Sequence, residues 1–269
     1  MNKTVVPKLL GGLGNQLFIM AATVDVANRW NADIAFDHTP GNPHCPDDFS
    51  LSVLFPTVPV MKNIQIDGEV AGSDFTYRDI VVNIPPNSRC VFISGYNQSP
   101  KYIPSNFCAF LNNIPNIELG DMTNIAYLHV RRGDYVNHPN FELNHKNYYR
   151  TAVSDLIKKN PDIKILILSD DLSWANHHIP LLLDGVVSTE KFIRLQRNYP
   201  ATYILKLMTR CLAGAVCVNS SFGWWGAFGN KHRPIYMPHP WSSFDISPTL
   251  DLYFEGVTKV SSDTGEILL

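Results

Sequence analysis

The segment Tyr127-Leu128-His129-Val130-Arg131-Arg132-Gly133-Asp134 carries an imidazole, two adjacent guanidiniums and a carboxylate at the end of an apolar run. Fixed charge beside a buried strand is costly unless a partner neutralises it. An ion pair between Asp134 and one arginine leaves the other guanidinium in need of an anion. Arginine suits phosphate because its planar fork donates two hydrogen bonds and stays charged near neutral pH. By two-residue alternation His129 and Arg131 share a strand face, and Arg132 points elsewhere. The chemistry expected of this segment is recognition of a diphosphate.

Three further segments place polar groups after apolar runs. In Gly11-Gly12-Leu13-Gly14-Asn15-Gln16, Gly12 and Gly14 are expected to let a ligand approach the backbone, and the following helix start favours anions. The alternative is a plain tight turn. The match to a dinucleotide fingerprint is imperfect, because Leu17 stands at its third small position. Ser169-Asp170-Asp171 has three readings: a metal-binding acidic pair, acceptors for a base or ribose, or a helix N-cap. Asn219-Ser220-Ser221-Phe222 offers hydroxyls and successive backbone N–H groups to phosphate oxygens. Trp224-Trp225 is either a ring platform or core.

These groups need strands and helices to position them. Strands are expected over Val5–Leu10, Asp33–Asp37, Cys90–Ser94, Ile125–Arg131, Ile163–Ser169, Ala215–Val218 and, last, Ile235–Met237. Helices are expected over Asn15–Arg29 and Asn147–Lys159, the latter burying Tyr149, Val153, Leu156 and Ile157. A third, Pro200–Leu212, turns Ile204, Leu207, Met208 and Cys211 inward, with Lys206 and Arg210 outside. His38 to Asn63 reads as loop with short elements, and the tail after Gly256 as polar and featureless. Strands alternating with helices mean βαβ units and parallel sheets. A composition break near 112–122 divides the chain into halves, 1–120 and 121–269, with a cleft between them.

Composition narrows the partners. The chain has 269 residues, 45% hydrophobic, which suffices for two modest cores. A net charge of −2 without long basic runs argues against a nucleic-acid polymer or an anionic membrane as partner. Five scattered cysteines, Cys45, Cys90, Cys108, Cys211 and Cys217, lack C-x-x-C spacing and read as reduced, mostly buried thiols. No apolar run is long enough for a transmembrane segment, and no cleavage pattern follows the first apolar stretch. A cytoplasmic protein is expected.

In their order, these segments resemble the α-1,2-fucosyltransferases of glycosyltransferase family 11. The resemblance rests on Gly11–Phe18, Gly95-Tyr96-Asn97-Gln98-Ser99, His129–Tyr135, Ser169-Asp170-Asp171 and Asn219–Ala227. It implies a GT-B-like α/β fold of two Rossmann-like halves facing a central cleft, with the acceptor on the amino-terminal side and the GDP-sugar on the other. It also implies GDP-β-L-fucose as donor substrate, a galactose-containing glycan as acceptor, inversion to an α-linkage, no cofactor and no metal. By that likeness Arg131 holds the diphosphate and Arg132 supports it. Asp170 or Asp171 contacts guanine or ribose, Asn219, Ser220, Ser221 and Phe222 flank the phosphates, and Asn15 lies near the reacting sugar.

The chain departs from the family pattern in places. No acid occurs in Tyr199–Leu212, and Gly223 stands where serine is common. Animal members carry a membrane anchor, whereas this chain starts at its first strand, as soluble microbial-type enzymes do. The expected reaction is displacement at the anomeric carbon, with guanidinium donors stabilising the leaving phosphate. Asp134, Glu142 and His129 are the candidates for the base. The alternatives are a fucosyltransferase of other linkage or acceptor, a nicotinamide-dependent oxidoreductase using the glycine turn and Asp37, and a non-catalytic nucleotide-sugar or glycan-binding protein.

Overall fold

In the computed structural model, residues 3–39, 50–115, 118, 120–243 and 251–268 are described. The chain divides into two compact units, Met1–Pro115 with Thr249–Phe254, and Asn116–Pro248 with Glu255–Leu269. Each is an α/β unit built on a parallel sheet, the class expected from the alternating pattern.

The first unit opens with β1 (Lys3–Pro7), α1 (Leu13–Trp30), β2 (Ala32–Ile34) and β3 (Phe36–Asp37). It continues with α2 (Ser50–Leu54), β4 (Val60–Met61), β5 (Gly68–Ala71) and β6 (Cys90–Ser94). Its four-stranded sheet has the order β2-β1-β6-β5, all parallel. Val5, Val91 and Ile93 from the sheet pack with Ala22 and Val26 of α1. Asn31 ends α1 in the left-handed region at φ 51°, its N–H bonded to Ala27 O.

The second unit contains β7 (Ile125–Val130), α3 (Lys146–Lys159), β8 (Lys164–Ser169), α4 (Leu172–Leu182) and β9 (Phe192–Arg194). Then follow α5 (Ala201–Arg210), β10 (Gly214–Val216), α6 (Ser221–Phe228), β11 (Ile235–His239), β12 (Val257–Ser261) and β13 (Ile267–Leu268). The sheet order is β13-β12-β11-β10-β7-β8-β9, parallel except for the β12–β13 pair. The chain runs outward from β7 to β9, then returns to β10 on the other side of β7. Such a reversal is a topological switch point, and the crevice at the carboxyl ends of its strands is where open α/β sheets bind ligands. Here those ends are Val130, which leads into Arg131, and Val216, which leads into Asn219.

Alternation along β7 divides its side chains between two layers. Ala126, Leu128 and Val130 join Tyr149, Val153 and Leu156 of α3 and Ile179 of α4 in one core cluster. Each such fully buried aliphatic side chain contributes roughly 1.5–3 kcal/mol. Tyr127, on the other face, reaches Cys217 Sγ and the carbonyl of Gly223 in α6, both at 3.3 Å.

Several elements differ from expectation. Asp33–Asp37 is two strands in two sheets, broken at Ala35. Ile204 is only half-buried, and Leu205 takes the inward position beside Leu207 and Met208. The tail after Gly256 is ordered as β12 and β13, and β12 extends the sheet in register with β11. Cys90, Cys108, Cys211 and Cys217 are free thiols, with the last two buried; Cys45 lies outside the described residues. Trp224 and Trp225 are fully buried and belong to the core.

Candidate functional site

Leaving β7, Arg131 lies between two carboxylates. Its Nε and Nη2 donate to Asp134 Oδ1 at 3.0 and 2.5 Å, and its Nη1 is 3.0 Å from Asp170 Oδ2. The intramolecular ion pair is therefore real, and it extends to a second acid that sequence spacing did not connect. Asp170 follows β8, the strand beside β7, in a register that pairs Val130 with Ser169. Its other oxygen, Oδ1, accepts the backbone N–H of Arg132 at 2.8 Å. Gly133 permits this closeness, since a Cβ there would stand 2.6 Å from Asp170 Oδ2.

Arg132 turns toward α4. Its guanidinium lies 4.0 Å over the Trp174 ring, and its Nε is 3.4 Å from Asp171 Oδ2. Asp171 also caps α4, Oδ1 accepting the Trp174 N–H at 3.0 Å. His178 stacks on Trp174 at 4.4 Å. Both oxygens of Asp170 and both of Asp171 thus have protein partners, and both carboxylates stay partly exposed, which leaves acceptor capacity for the contact to guanine or ribose expected of one of them. Trp174 is a residue the sequence reading missed, because nothing in sequence links it to an arginine 42 positions earlier.

At the other strand end, Asn219 is fully buried. Its Nδ2 donates to the carbonyls of Phe141 and Trp241, and its Oδ1 meets His145 Nε2 at 2.9 Å. Its carbonyl accepts from Tyr135 at 2.9 Å. This side chain anchors the 133–145 loop, and Asn219 also forms part of the wall of the cavity beside the arginines. Ser220 is the N-cap residue of α6 and is buried, whereas Ser221 and Phe222 in the first turn are partly exposed. His129 is also buried, its ring 6.0 Å from Phe222 and against the Cα of Gly223. Burial, reinforced by the Arg131 charge, lowers its pKa to about 3. A sealed, neutral imidazole is poorly placed to meet an acceptor hydroxyl, contrary to its expected place among the bases.

Glu142 Oε2 accepts the N–H of Asn137 within the same loop. A cavity of about 230 Å³ opens beside the arginines, lined by Val130, Tyr135, Phe141, Tyr149, Trp174 and Ile179 among others. Its wall includes His145, whose pKa burial lowers to about 4. The cavity is largely apolar and aromatic, and Arg131, Arg132, Lys146 and Glu142 also line it, a combination that suits a ring carrying polar groups.

In the first unit, Gly12 is the N-cap of α1 with no side-chain cap, and Gly14 is buried in the first turn. The glycine that the turn requires is Gly11, at φ +68°, where a Cβ would also press on Asn15 Nδ2 at 2.6 Å. Asn15 Oδ1 accepts from Gln98 Nε2 at 2.8 Å. Asp37, the expected ribose acid of a nicotinamide site, accepts from the hydroxyl and backbone N–H of Thr39. Among the described residues no cluster of acids, histidines and cysteines has a metal-holding arrangement. No described helix is long and apolar enough to cross a membrane.

Strand order and site together define the second unit as a doubly wound, Rossmann-like unit with two ion-paired arginines at its switch point. A family model, Glycosyl transferase family 11, matches residues 82–244, and the chain belongs to that family. It is 26% identical to the O-antigen biosynthesis glycosyltransferase WbnK of Escherichia coli over 127 residues, 44% of this chain and 39% of that one. It is also 26% identical to an alpha-1,2-colitosyltransferase of Escherichia coli over 151 residues, 51% and 50% of the two chains. The matches thus span half or less of each of these curated relatives. Fucosyltransferase NodZ from Bradyrhizobium aligns with a TM-score of 0.49 at 13% identity, over 86% of this chain and 95% of that one.

Proposed function

We propose that the chain is a GDP-β-L-fucose-dependent glycosyltransferase that forms an α-1,2 linkage to a galactose hydroxyl of an oligosaccharide. The observation that carries this reading is the pair Arg131 and Arg132 at the switch point of a family 11 chain. In this reading Arg131 and Arg132 take the diphosphate, Ser220, Ser221 and the amino end of α6 border it, and the aromatic cavity receives a ring of the nucleotide sugar. Asn15, with Gly12 and Gly14 beside it, serves the carbohydrate.

Phosphate must compete with the carboxylates already on Arg131. Asp134 is 69% exposed and Arg131 35% exposed. An ion pair at such a surface is worth about 0.2–1 kcal/mol, little enough to be exchanged for a diphosphate. As the glycosidic bond breaks, negative charge grows on the leaving phosphate, and fixed guanidiniums stabilise that state more than the ground state. Inversion follows from attack on the face opposite the leaving GDP, and the cationic pair supplies the charge stabilisation that a metal gives elsewhere. Asp134 lies against the guanidinium that takes the leaving phosphate, on the leaving-group side of the anomeric carbon, so the base for an attack from the opposite face must come from elsewhere.

A second reading, favoured by the alpha-1,2-colitosyltransferase relative, is transfer of colitose. The test is incubation with GDP-fucose and, separately, the colitose nucleotide, each with a galactoside panel and chelator, followed by linkage analysis. A fucosylated galactoside with an α-1,2 bond supports the proposal. Turnover with the colitose donor alone supports the second reading, and activity lost to chelator contradicts the metal-free step.

A further inference from the structure

Gln98 is buried, with 7% of its surface exposed, in a turn far from the arginine site in sequence. The turn holds itself rigidly. Asn97 adopts φ 52°, and its Nδ2 donates to the carbonyls of Ser94 and Gly95 at 3.0 and 2.8 Å. The Gln98 N–H then reaches Asp74 O at 2.9 Å. From this fixed base Gln98 Nε2 donates across 83 positions to Asn15 Oδ1.

That contact ties the orientation of the Asn15 amide to that of Gln98. An asparagine amide presents either an acceptor or a pair of donors, depending on its flip. With Oδ1 facing Gln98 Nε2, Nδ2 is the end left over, and the Asn15 amide reverses only together with that of Gln98. Nδ2 has no hydrogen-bond partner among the described residues, and Asn15 itself is partly exposed in the first turn of α1, after the carboxyl end of β1. Ligand-facing groups of open α/β sheets occupy that position.

We propose that Gln98 is a positioning residue that fixes the Asn15 amide with its N–H donors directed to an oxygen of a carbohydrate. The role rests on the glycosyl-transfer reading above. The oxygen belongs either to the transferred sugar or to the acceptor, and the two are chemically alike. Catalytic groups lose effect when their supporting shell is loosened by a fraction of an ångström, so the loss belongs mainly to turnover.

The experiment compares wild type, Gln98→Met, Asn15→Ala and the double variant. Gln98→Met keeps the volume and removes the donor. GDP release from GDP-fucose with a galactoside gives kcat and both KM values, and thermal melts report folding. Expected is a loss in kcat of about tenfold or more in Gln98→Met with an unchanged melting temperature. The double variant should be no slower than Asn15→Ala, since both substitutions remove one function. A companion rise in donor KM assigns the oxygen to the transferred sugar, and one in acceptor KM to the galactoside. Wild-type kcat in Gln98→Met, or additive losses tracking a lowered melting temperature, would overturn the proposal. A second readout, the Asn15 side-chain amide signals in ¹⁵N-labelled protein, does not need turnover. If wild type fails to turn over, the glycosyl-transfer reading fails alone, and Asn15 signals identical in wild type and Gln98→Met overturn the positioning role independently.

Discussion

Asp170 holds both arginines of the site at once: Oδ2 is 3.0 Å from Arg131 Nη1, and Oδ1 accepts the backbone N–H of Arg132 at 2.8 Å. One carboxylate after β8 thereby fixes the direction in which the chain leaves β7. Removing it in Asp170→Ala takes one of two carboxylates from the Arg131 side chain and the acceptor from the Arg132 backbone N–H together. A rate loss of about 10²-fold in kcat/KM is expected, in keeping with the sensitivity of oriented groups to small displacements. Steady-state kinetics with GDP-fucose check it.

Asp134 acts in the opposite sense on ligand binding. It competes with phosphate for Arg131 from an exposed position. Asp134→Asn should therefore tighten GDP by up to about fivefold, the equivalent of about 1 kcal/mol for an exposed pair. Calorimetric titration of both proteins with GDP measures the difference.

Trp174 supports Arg132 from below the guanidinium plane. A cation–π contact at a partly exposed site is worth about 0.5–1 kcal/mol. Trp174→Leu should weaken GDP by about two- to fivefold, with kcat changed less. An unchanged GDP affinity would show that Arg132 does not need its platform.

Stability should fall in mild acid for a reason located in two histidines. Burial lowers the pKa of His129 to about 3 and that of His145 to about 4. Unfolded histidine titrates near 6.5. Between the folded and unfolded values the unfolded chain binds the extra protons, so stability is full above about pH 6.5 and declines as pH drops toward the folded values. At pH 5.5 each site removes about 1.4 kcal/mol. Denaturant melts at pH 7.5 and 5.5 measure the difference, and His145→Gln should make it smaller.

The second unit was legible where physics acts locally. Ile125–Val130 and Lys164–Ser169 are continuous apolar runs, and each ends in polar residues that do face the switch point. Val257–Ser261 escaped notice because only Val260 is fully buried in that strand, so it lacks a core-strand pattern. The helix Leu172–Leu182 was obscured by Pro180 within it, although its cap, Asp171, was readable as one. Asp170 and Asp171 stand out by type and place in the sequence, but their partners follow only from the register that brings β8 beside β7. His129 looked available from its type and place on the strand; only packing against α6 reveals that it is sealed. Gln98 and Asn15 are joined by a tertiary contact that no local pattern encodes.

The most direct test is a crystal structure of the protein with GDP. Diphosphate oxygens within hydrogen-bonding distance of the Arg131 guanidinium, with Asp134 displaced from it and Arg132 still stacked on Trp174, are the expected result. A nucleotide bound with its phosphates away from both arginines, and with the Arg131–Asp134 pair intact, would contradict it.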